Sequence, residues 1–159
     1  MSKSNNYRTL FKDLALSKGY KILPPNPGDR NNSVDIRLEG HINGNPTNFS
    51  IDIKKKNNKN ANSWVYIEYK NAKGYKGWLY GSASFIAFET ASTFILVPRK
   101  NLLNWLDSSG SIRWDLPYVD KSWNSKYRLF RRPGTLETIS QIKVSDLLEI
   151  KSAQSWKKV

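Results

Sequence analysis

Two acid-x-lysine triplets close two stretches of alternating apolar and polar residues. Asp52-Ile53-Lys54 ends the first stretch, and Glu68-Tyr69-Lys70 ends the second. Carboxylates that lie side by side repel each other unless a cation lies among them, and their hard oxygen atoms suit Mg²⁺. A divalent ion with a lysine beside it can polarise a phosphoryl oxygen, activate water and stabilise the developing charge. The chemistry to expect from such a group is phosphodiester hydrolysis.

The strands that carry these residues are predicted from period-two alternation, because successive side chains of a strand point to opposite faces. Three runs alternate in this way, at residues 33–38, 49–54 and 64–70. We expect them to form an antiparallel three-strand meander, whose polar face would bring three carboxylates and two lysines together. That face comprises Asp35, Arg37, Asp52, Lys54, Tyr66, Glu68 and Lys70.

A solvated strand face in a basic protein would show the same pattern. Composition alone predicts about 1.5 acid-x-lysine triplets, and the chain has three, since Glu149-Ile150-Lys151 is another. The functional interpretation therefore depends on the position of the acids. They fall on three successive predicted strands and on the same side of each.

The net charge of the chain points to a polyanionic partner. Lys and Arg number 26 and Asp and Glu 13, which leaves a formal net charge of +13. Each phosphate that a Lys or Arg contacts releases condensed counterions, which supplies non-specific affinity for nucleic acid. An anionic membrane is disfavoured, because the basic residues are spread along the chain and form no basic amphipathic helix. We therefore expect a nucleic acid as the partner and no membrane association.

Several classes of site are excluded by composition. The chain has no Cys, which excludes disulfides, thiolate zinc sites and cysteine nucleophiles. His41 is the only histidine, so HNH nucleases, HD phosphohydrolases and histidine-rich zinc sites are excluded as well. No apolar leader or membrane span is predicted. We therefore expect a cytoplasmic protein, in the host cytoplasm if a phage encodes it.

The remaining patterns predict one domain over residues 1–159, of the α/β class in its α+β form. A central mixed sheet would contain the meander and be flanked by helices. The core would span about residues 7–108, and residues 109–159 would form an extension that packs on the core or makes an oligomer or DNA interface. The other predicted elements are helices at 6–18, 82–89 and 101–107, strands at 93–99 and 127–132, and a strand running into a helix over 141–150.

This order of elements resembles the PD-(D/E)XK nuclease superfamily over roughly residues 7–100, and implies a restriction-endonuclease-like core. Two registers fit. In the first, Asp35 matches the lone acid, Asp52 and Lys54 match the acid-x-lysine pair, and Glu68 is an additional acid. In the second, Asp52 is the lone acid and Glu68 with Lys70 form the pair. We prefer the first, because the segment from Asp52 through "SASFIAF" looks like a phage-type branch of the superfamily.

The chain departs from the superfamily pattern at three points. No Pro precedes either candidate aspartate, the acid of the preferred triplet is Asp, and the first helix offers only Asp13 where a glutamate is usual. These departures affect the set of metal ligands more than the class of enzyme.

The resemblance implies an endodeoxyribonuclease that depends on Mg²⁺ or Mn²⁺, such as a homing or another site-specific or structure-specific endonuclease. Asp35 and Asp52 would be metal ligands, Lys54 would position or activate water, and Glu68 would bind a second metal or orient water. A homodimer or higher symmetric oligomer is expected, since duplex DNA presents two strands. A non-catalytic nucleic-acid-binding protein on a degenerate nuclease fold explains the charge equally well, and an RNA-binding or RNA-processing protein is a third reading.

Aromatic and basic residues alternate in the segments 73–80 and 111–132, which indicates contacts with nucleic acid. We expect Lys73, Lys76, Arg131 and Arg132 to contact phosphates and Trp78 to stack on bases. The alternative for Trp78 is an anchor in the core, because Trp is usually largely buried. Arg131-Arg132-Pro133-Gly134 also fits an exposed turn.

Overall fold

The computed structural model describes residues 6–42, 44–56 and 61–158. Its helices are α1 (Asn6–Ser17), α2 (Arg99–Ser108) and α3 (Val144–Glu149). Its strands are β1 (Lys21–Leu23), β2 (Ile36–Ile42), β3 (Asn45–Lys54), β4 (Trp64–Lys70), β5 (Phe85–Glu89), β6 (Thr93–Pro98), β7 (Phe130–Arg131), β8 (Thr138–Lys143) and β9 (Gln154–Lys157). Single turns of 3₁₀ helix lie at Trp78–Tyr80 and Ser122–Asn124. Within these ranges no helix combines the length and the apolarity needed to cross a membrane.

The strands form two sheets. The larger has six strands in the order β1-β2-β3-β5-β6-β9, and the smaller has three in the order β4-β8-β7. Neighbouring strands are antiparallel except β3 and β5, which are parallel. A parallel pair needs a long crossover connection, and here β4 and the first 3₁₀ turn lie within it. The predicted α+β class with a mixed central sheet is confirmed.

The predicted meander is only partly correct. β2 and β3 pair as an antiparallel hairpin, but β4 joins the smaller sheet, and β5 takes the place beside β3. The difference in burial between β4 and β5 explains why β5, and not β4, lies beside β3. Four of the five β5 residues are buried, whereas β4 alternates between buried and half-buried positions. Parallel strands in the middle of a sheet are covered on both faces, and alternating strands suit antiparallel sheets.

The predicted helix at residues 82–89 is wrong, because this segment contains β5. A short apolar run cannot be assigned to helix or strand from periodicity alone. β6 and α2 match their predicted positions closely, and β8 followed by α3 matches the predicted strand running into a helix. β1 and β9 were not predicted, and of residues 127–132 only Phe130–Arg131 form a strand.

Two apolar clusters cover the two faces of the six-stranded sheet. One lies between α1 and one face of the sheet, where the Phe11 and Trp156 rings stack with their centroids 5.4 Å apart. The other fills the space between the two sheets and takes in residues of α2 and α3. Side chains of β5 alternate between them, since Ile86 and Phe88 join the second cluster and Ala87 joins the first. Phe11 thereby fixes α1 against the sheet.

Candidate active site

The hairpin of β2 and β3 places Asp35 beside Asp52. Ile36, the first residue of β2, pairs with Ile51, so the residues on either side of this pair also face each other. The Asp35 backbone N–H donates to the Ile51 carbonyl oxygen at 2.9 Å. The Asp35 Oδ2 atom accepts a hydrogen bond from the Ile53 backbone N–H at 2.7 Å. Asp35 is thus fixed against β3 through both its backbone and its side chain.

Asp52 is buried, with 2% of its surface exposed. Its Oδ1 atom lies 3.2 Å from the Lys54 ammonium nitrogen, and its Oδ2 atom has no hydrogen-bond partner in the described part of the chain. Burial raises the pKa of Asp52 to about 7, with Asp35 adding to the rise and Lys54 opposing it. A buried carboxylate oxygen without a partner is costly. The Oδ2 atom of Asp52 can therefore accept a cation or a proton.

Lys54 is held from two sides. Asp52 lies on one side, and on the other the Lys54 ammonium nitrogen lies 4.7 Å from the centroid of the Trp78 ring. An ammonium group over an indole face is attracted by the ring quadrupole. The Trp78 ring itself packs edge-on against Phe88. The half-buried Trp78 therefore supports Lys54 from the core, which is where the alternative interpretation of this residue placed it.

Glu68 approaches Lys54 from the smaller sheet and not from a strand paired with β3. Its carboxylate accepts a hydrogen bond from the Trp78 backbone, and burial raises its pKa while Lys54 lowers it. Gly77 permits this approach, because a Cβ atom there would lie 2.5 Å from the Glu68 carbonyl oxygen. The expectation that Glu68 lies on a strand neighbouring Asp52 is therefore wrong. Lys70, the lysine of the second register, is exposed at the end of β4.

An open cleft of about 670 Å³ contains both aspartates. It is lined by residues from α1, from the loop at 24–33 and from the β2–β3 hairpin. Four of the lining residues are basic and three are acidic. They are Arg8, Arg30, Lys54, Lys55, Asp29, Asp35 and Asp52. The basic side chains of such a surface can bind the phosphates of a nucleic-acid backbone, while its carboxylates lie near one of these phosphates.

Asp29 differs from the other two acids, because Arg37 binds both of its oxygens at 2.9 and 2.8 Å. These hydrogen bonds lower the pKa of Asp29. The Asn26 backbone N–H donates to the same carboxylate at 2.8 Å. Asp29 therefore holds the loop at 24–33 against β2 and is not a candidate for metal binding.

The contribution of α1 to the cleft was not predicted. Tyr7 and Arg8 both line it, whereas Asp13 lines a separate depression beside Leu10. Burial raises the pKa of Tyr7, and the nearby Asp35 and Asp52 raise it further. The signal available in the sequence was helical spacing, because Tyr7 lies one turn before Phe11 on the same helix face.

The residues predicted to contact DNA lie on and around the smaller sheet. The Lys76 ammonium nitrogen lies 5.5 Å from the Tyr80 ring centroid, and the Arg131 guanidinium carbon lies 5.1 Å from that of Tyr118. Arg132 forms an ion pair with Glu137 at 3.4 Å. Lys73 is exposed in the loop that follows β4.

The acids of the cleft suit a hard divalent cation bound partly by solvent. Mg²⁺ usually binds through one or two carboxylates and keeps several waters or substrate phosphate oxygens. Asp35 and Asp52 provide two such carboxylates. No group of three or more His, Cys, Asp or Glu side chains that could hold a metal occurs in residues 6–42, 44–56 and 61–158. Asp35 and Asp52 are the two carboxylates of the cleft that could share one divalent cation with solvent or phosphate oxygens.

Comparisons with protein-family models, curated proteins and solved structures gave no match. Function is therefore inferred from the chemistry of the cleft.

Proposed function

We propose that the chain is a Mg²⁺- or Mn²⁺-dependent endodeoxyribonuclease of the PD-(D/E)XK type that uses the first register. The observation that carries this proposal is the placement of Asp35 beside Asp52, with the Lys54 ammonium nitrogen 3.2 Å from the latter. The same group opens onto a cleft lined by further basic residues. Acids, a lysine and phosphate-binding cations are the parts that hydrolysis of a phosphodiester needs.

Each residue has a role that its position supports. Asp35 and Asp52 would hold the divalent ion, which when bound would polarise a phosphoryl oxygen and make water more acidic. Lys54 would stabilise the charge that develops on the phosphate, or orient the attacking water. Arg30 and Lys55, on the walls of the cleft, would bind neighbouring phosphates. Glu68 would act through Lys54, whose ammonium group it attracts from the smaller sheet.

The state of Asp52 supports the need for a cation. The carboxylate is buried, one oxygen has no partner among the described residues, and Lys54 is the cation beside the other oxygen. Burial raises the pKa of Asp52 to about 7, so this carboxylate is partly protonated near neutral pH. A divalent ion would replace that proton.

A non-catalytic DNA-binding protein is the second candidate. It is favoured by the ion pairs of the cleft, because Asp35 contacts Arg8 and Asp52 contacts Lys54. Carboxylates neutralised by the chain itself would need no metal. Under this alternative the basic cleft would bind phosphates and leave them intact. A binding competition between duplex DNA and RNA would show which of the two polymers the chain binds.

Cleavage of supercoiled, branched and linear DNA in Mg²⁺, Mn²⁺ or EDTA tests the proposal. We expect metal-dependent cutting that is lost in Asp52→Asn and Lys54→Ala and retained in Lys70→Ala. Lys70→Ala is the matched control, since it removes the lysine of the other triplet on the smaller sheet. Loss in Lys70→Ala with activity retained in Lys54→Ala would move the site to the second register. Binding of all three substrates without cutting would establish the non-catalytic alternative.

Site-specific or structure-specific cutting and a symmetric oligomer are also part of the proposal. The oligomer follows from a duplex substrate, since two equivalent strands are cut most simply by two related active sites. Sedimentation of the free protein and of its DNA complex measures the number of chains. A monomer that cuts both strands at one locus would contradict this part alone.

A further inference from the structure

Both oxygens of the Asp35 carboxylate are engaged within the chain. The Oδ2 atom accepts the Ile53 backbone hydrogen bond, and the Oδ1 atom lies 3.5 Å from a guanidinium nitrogen of Arg8. Arg8 is the third residue of α1, and its side chain is 48% exposed. The backbone contact is short and fixed by the hairpin, whereas the Arg8 contact is long and at the surface. Of the two partners, Arg8 is the one that can leave.

A divalent ion held by Asp35 and Asp52 would meet Arg8 at the same carboxylate. Two cations on one carboxylate oxygen repel each other, so binding of the ion disfavours the Arg8 contact. α1 itself is fixed, because Phe11 is fully buried in the core. Release therefore involves the Arg8 side chain alone. The freed guanidinium stays in the cleft, since Arg8 lines it.

We propose that Arg8 has two alternative partners. In the ion-free protein, Arg8 neutralises Asp35. When Asp35 and Asp52 hold a divalent ion, the displaced guanidinium of Arg8 would bind a phosphate of the DNA. This inference rests on the proposed nuclease function and assigns a substrate-binding residue outside the predicted site. A guanidinium suits the second role, because its planar donors match two phosphate oxygens. The exchange couples metal binding to substrate binding. Arg8 would thereby be free to bind DNA when Asp35 and Asp52 hold an ion.

The first test measures Mn²⁺ binding by calorimetry without DNA. Arg8→Gln is expected to bind Mn²⁺ about two- to fivefold more tightly than the wild type, the fold-change that loss of an exposed ion pair represents. Lys12→Ala, which removes one charge from an exposed position of the same helix, is expected to leave the affinity unchanged. Lys55→Ala tests through-space repulsion, because it removes a cleft cation that does not contact Asp35. An effect of Lys55→Ala equal to that of Arg8→Gln would overturn the direct exchange.

The second test measures DNA affinity by fluorescence anisotropy in a Lys54→Ala background, which prevents cutting under the proposed function. In Mn²⁺, the added Arg8→Gln change is expected to weaken binding at least threefold and to reduce the salt slope by about one. In EDTA the same change is expected to have less effect, because Arg8 is then occupied by Asp35. Equal losses in Mn²⁺ and EDTA would overturn the exchange.

The two proposals fail in different ways. A wild type that binds no Mn²⁺ and cuts no DNA would overturn the nuclease function and, with it, the role of Arg8. A wild type that cuts DNA, with Arg8→Gln unchanged in Mn²⁺ affinity, would overturn the Arg8 inference alone. Arg8→Lys provides a second variant with the charge retained, and we expect it to restore most of the DNA affinity but not the full wild-type value. Thermal unfolding of each variant confirms that α1 is intact.

Discussion

The Lys54 ammonium nitrogen lies 3.2 Å from the Asp52 Oδ1 atom, and the two residues occupy alternate positions on one face of β3. Asp35, the residue that precedes β2, faces the same point. Lys54 therefore lies against a buried carboxylate, and the second carboxylate, that of Asp35, contacts Arg8. Burial is the main cause that raises the pKa of Asp52, with Lys54 opposing the rise and Asp35 adding to it.

Asp52 is expected to make the ion-free protein less stable as the pH rises. Its pKa is about 7 in the folded chain and ordinarily near 4 in an unfolded one. The folded state then binds the extra proton between these values, so the free energy of unfolding falls as pH rises through this window. Relative to Asp52→Asn, the wild type should lose on the order of 4 kcal/mol between about pH 4 and 7.5.

Urea unfolding of the two proteins in EDTA across this pH range measures the difference. Asp29 and Glu68 also have shifted pKa values, but they are present in both proteins and cancel in the comparison. Parallel curves for the wild type and Asp52→Asn would show that Asp52 keeps an ordinary pKa. Added Mg²⁺ should remove the wild-type loss at high pH, because the ion takes the place of the proton.

Metal binding is expected to release a proton near neutral pH. A ligating carboxylate must be deprotonated, and Asp52, with its pKa of about 7, is partly protonated there. The apparent affinity for Mn²⁺ should therefore rise about tenfold per pH unit below 7 and level off above it. Calorimetry in two buffers of different ionisation enthalpy counts the protons. An affinity that does not change between pH 5.5 and 8 would place the ion away from Asp52.

The hairpin that joins the two aspartates could be predicted because it is local. Alternation assigned Asp35 and Asp52 to one face of neighbouring strands, and β2 and β3 follow each other in the chain. The place of β4 could not be predicted in this way. Its partner β8 lies about seventy residues away, and a pattern within one strand does not identify a distant partner.

The site was predicted to the extent that strands carry it. Asp35, Asp52 and Lys54 were identified from alternation, and the structure brings them together. The positions of Tyr7 and Arg8 in the cleft depend on how α1 crosses the sheet. The contact of Phe11 with the core determines this crossing, and the spacing of residues within the helix does not determine it. The contact between Lys54 and Trp78 depends on the crossover to β5. Because the sequence does not reveal this crossover, it did not decide whether Trp78 packs in the core or stacks on DNA bases.

Trp78→Leu is expected to slow catalysis without weakening DNA binding. The indole ring holds the Lys54 ammonium group at 4.7 Å, and a cation–π contact contributes about 0.5 to 2 kcal/mol. Its loss should lower kcat by about tenfold while the Kd for DNA changes less than twofold. Single-turnover cleavage and fluorescence anisotropy measure the two effects.

Trp78→Phe is the matched control for this change. It keeps an aromatic face for Lys54 and the edge-on contact with Phe88, so kcat should fall by less than in Trp78→Leu. If Trp78 stacks on bases instead, Trp78→Leu would raise the Kd for DNA and leave the single-turnover rate at saturating DNA unchanged. Urea unfolding separates either result from loss of core packing.

Arg131 and Arg132 are expected to differ in their contribution to DNA binding, although they are adjacent in the chain. Arg132 shares its charge with Glu137 at 3.4 Å, whereas Arg131 lies exposed against the Tyr118 ring. Arg131→Ala should therefore reduce the salt slope of DNA binding by about 0.9, the value for one phosphate contact, and Arg132→Ala should reduce it by less. Anisotropy titrations at several salt concentrations measure both slopes. Equal salt slopes for Arg131→Ala and the wild type would show that this side of the smaller sheet does not contact DNA.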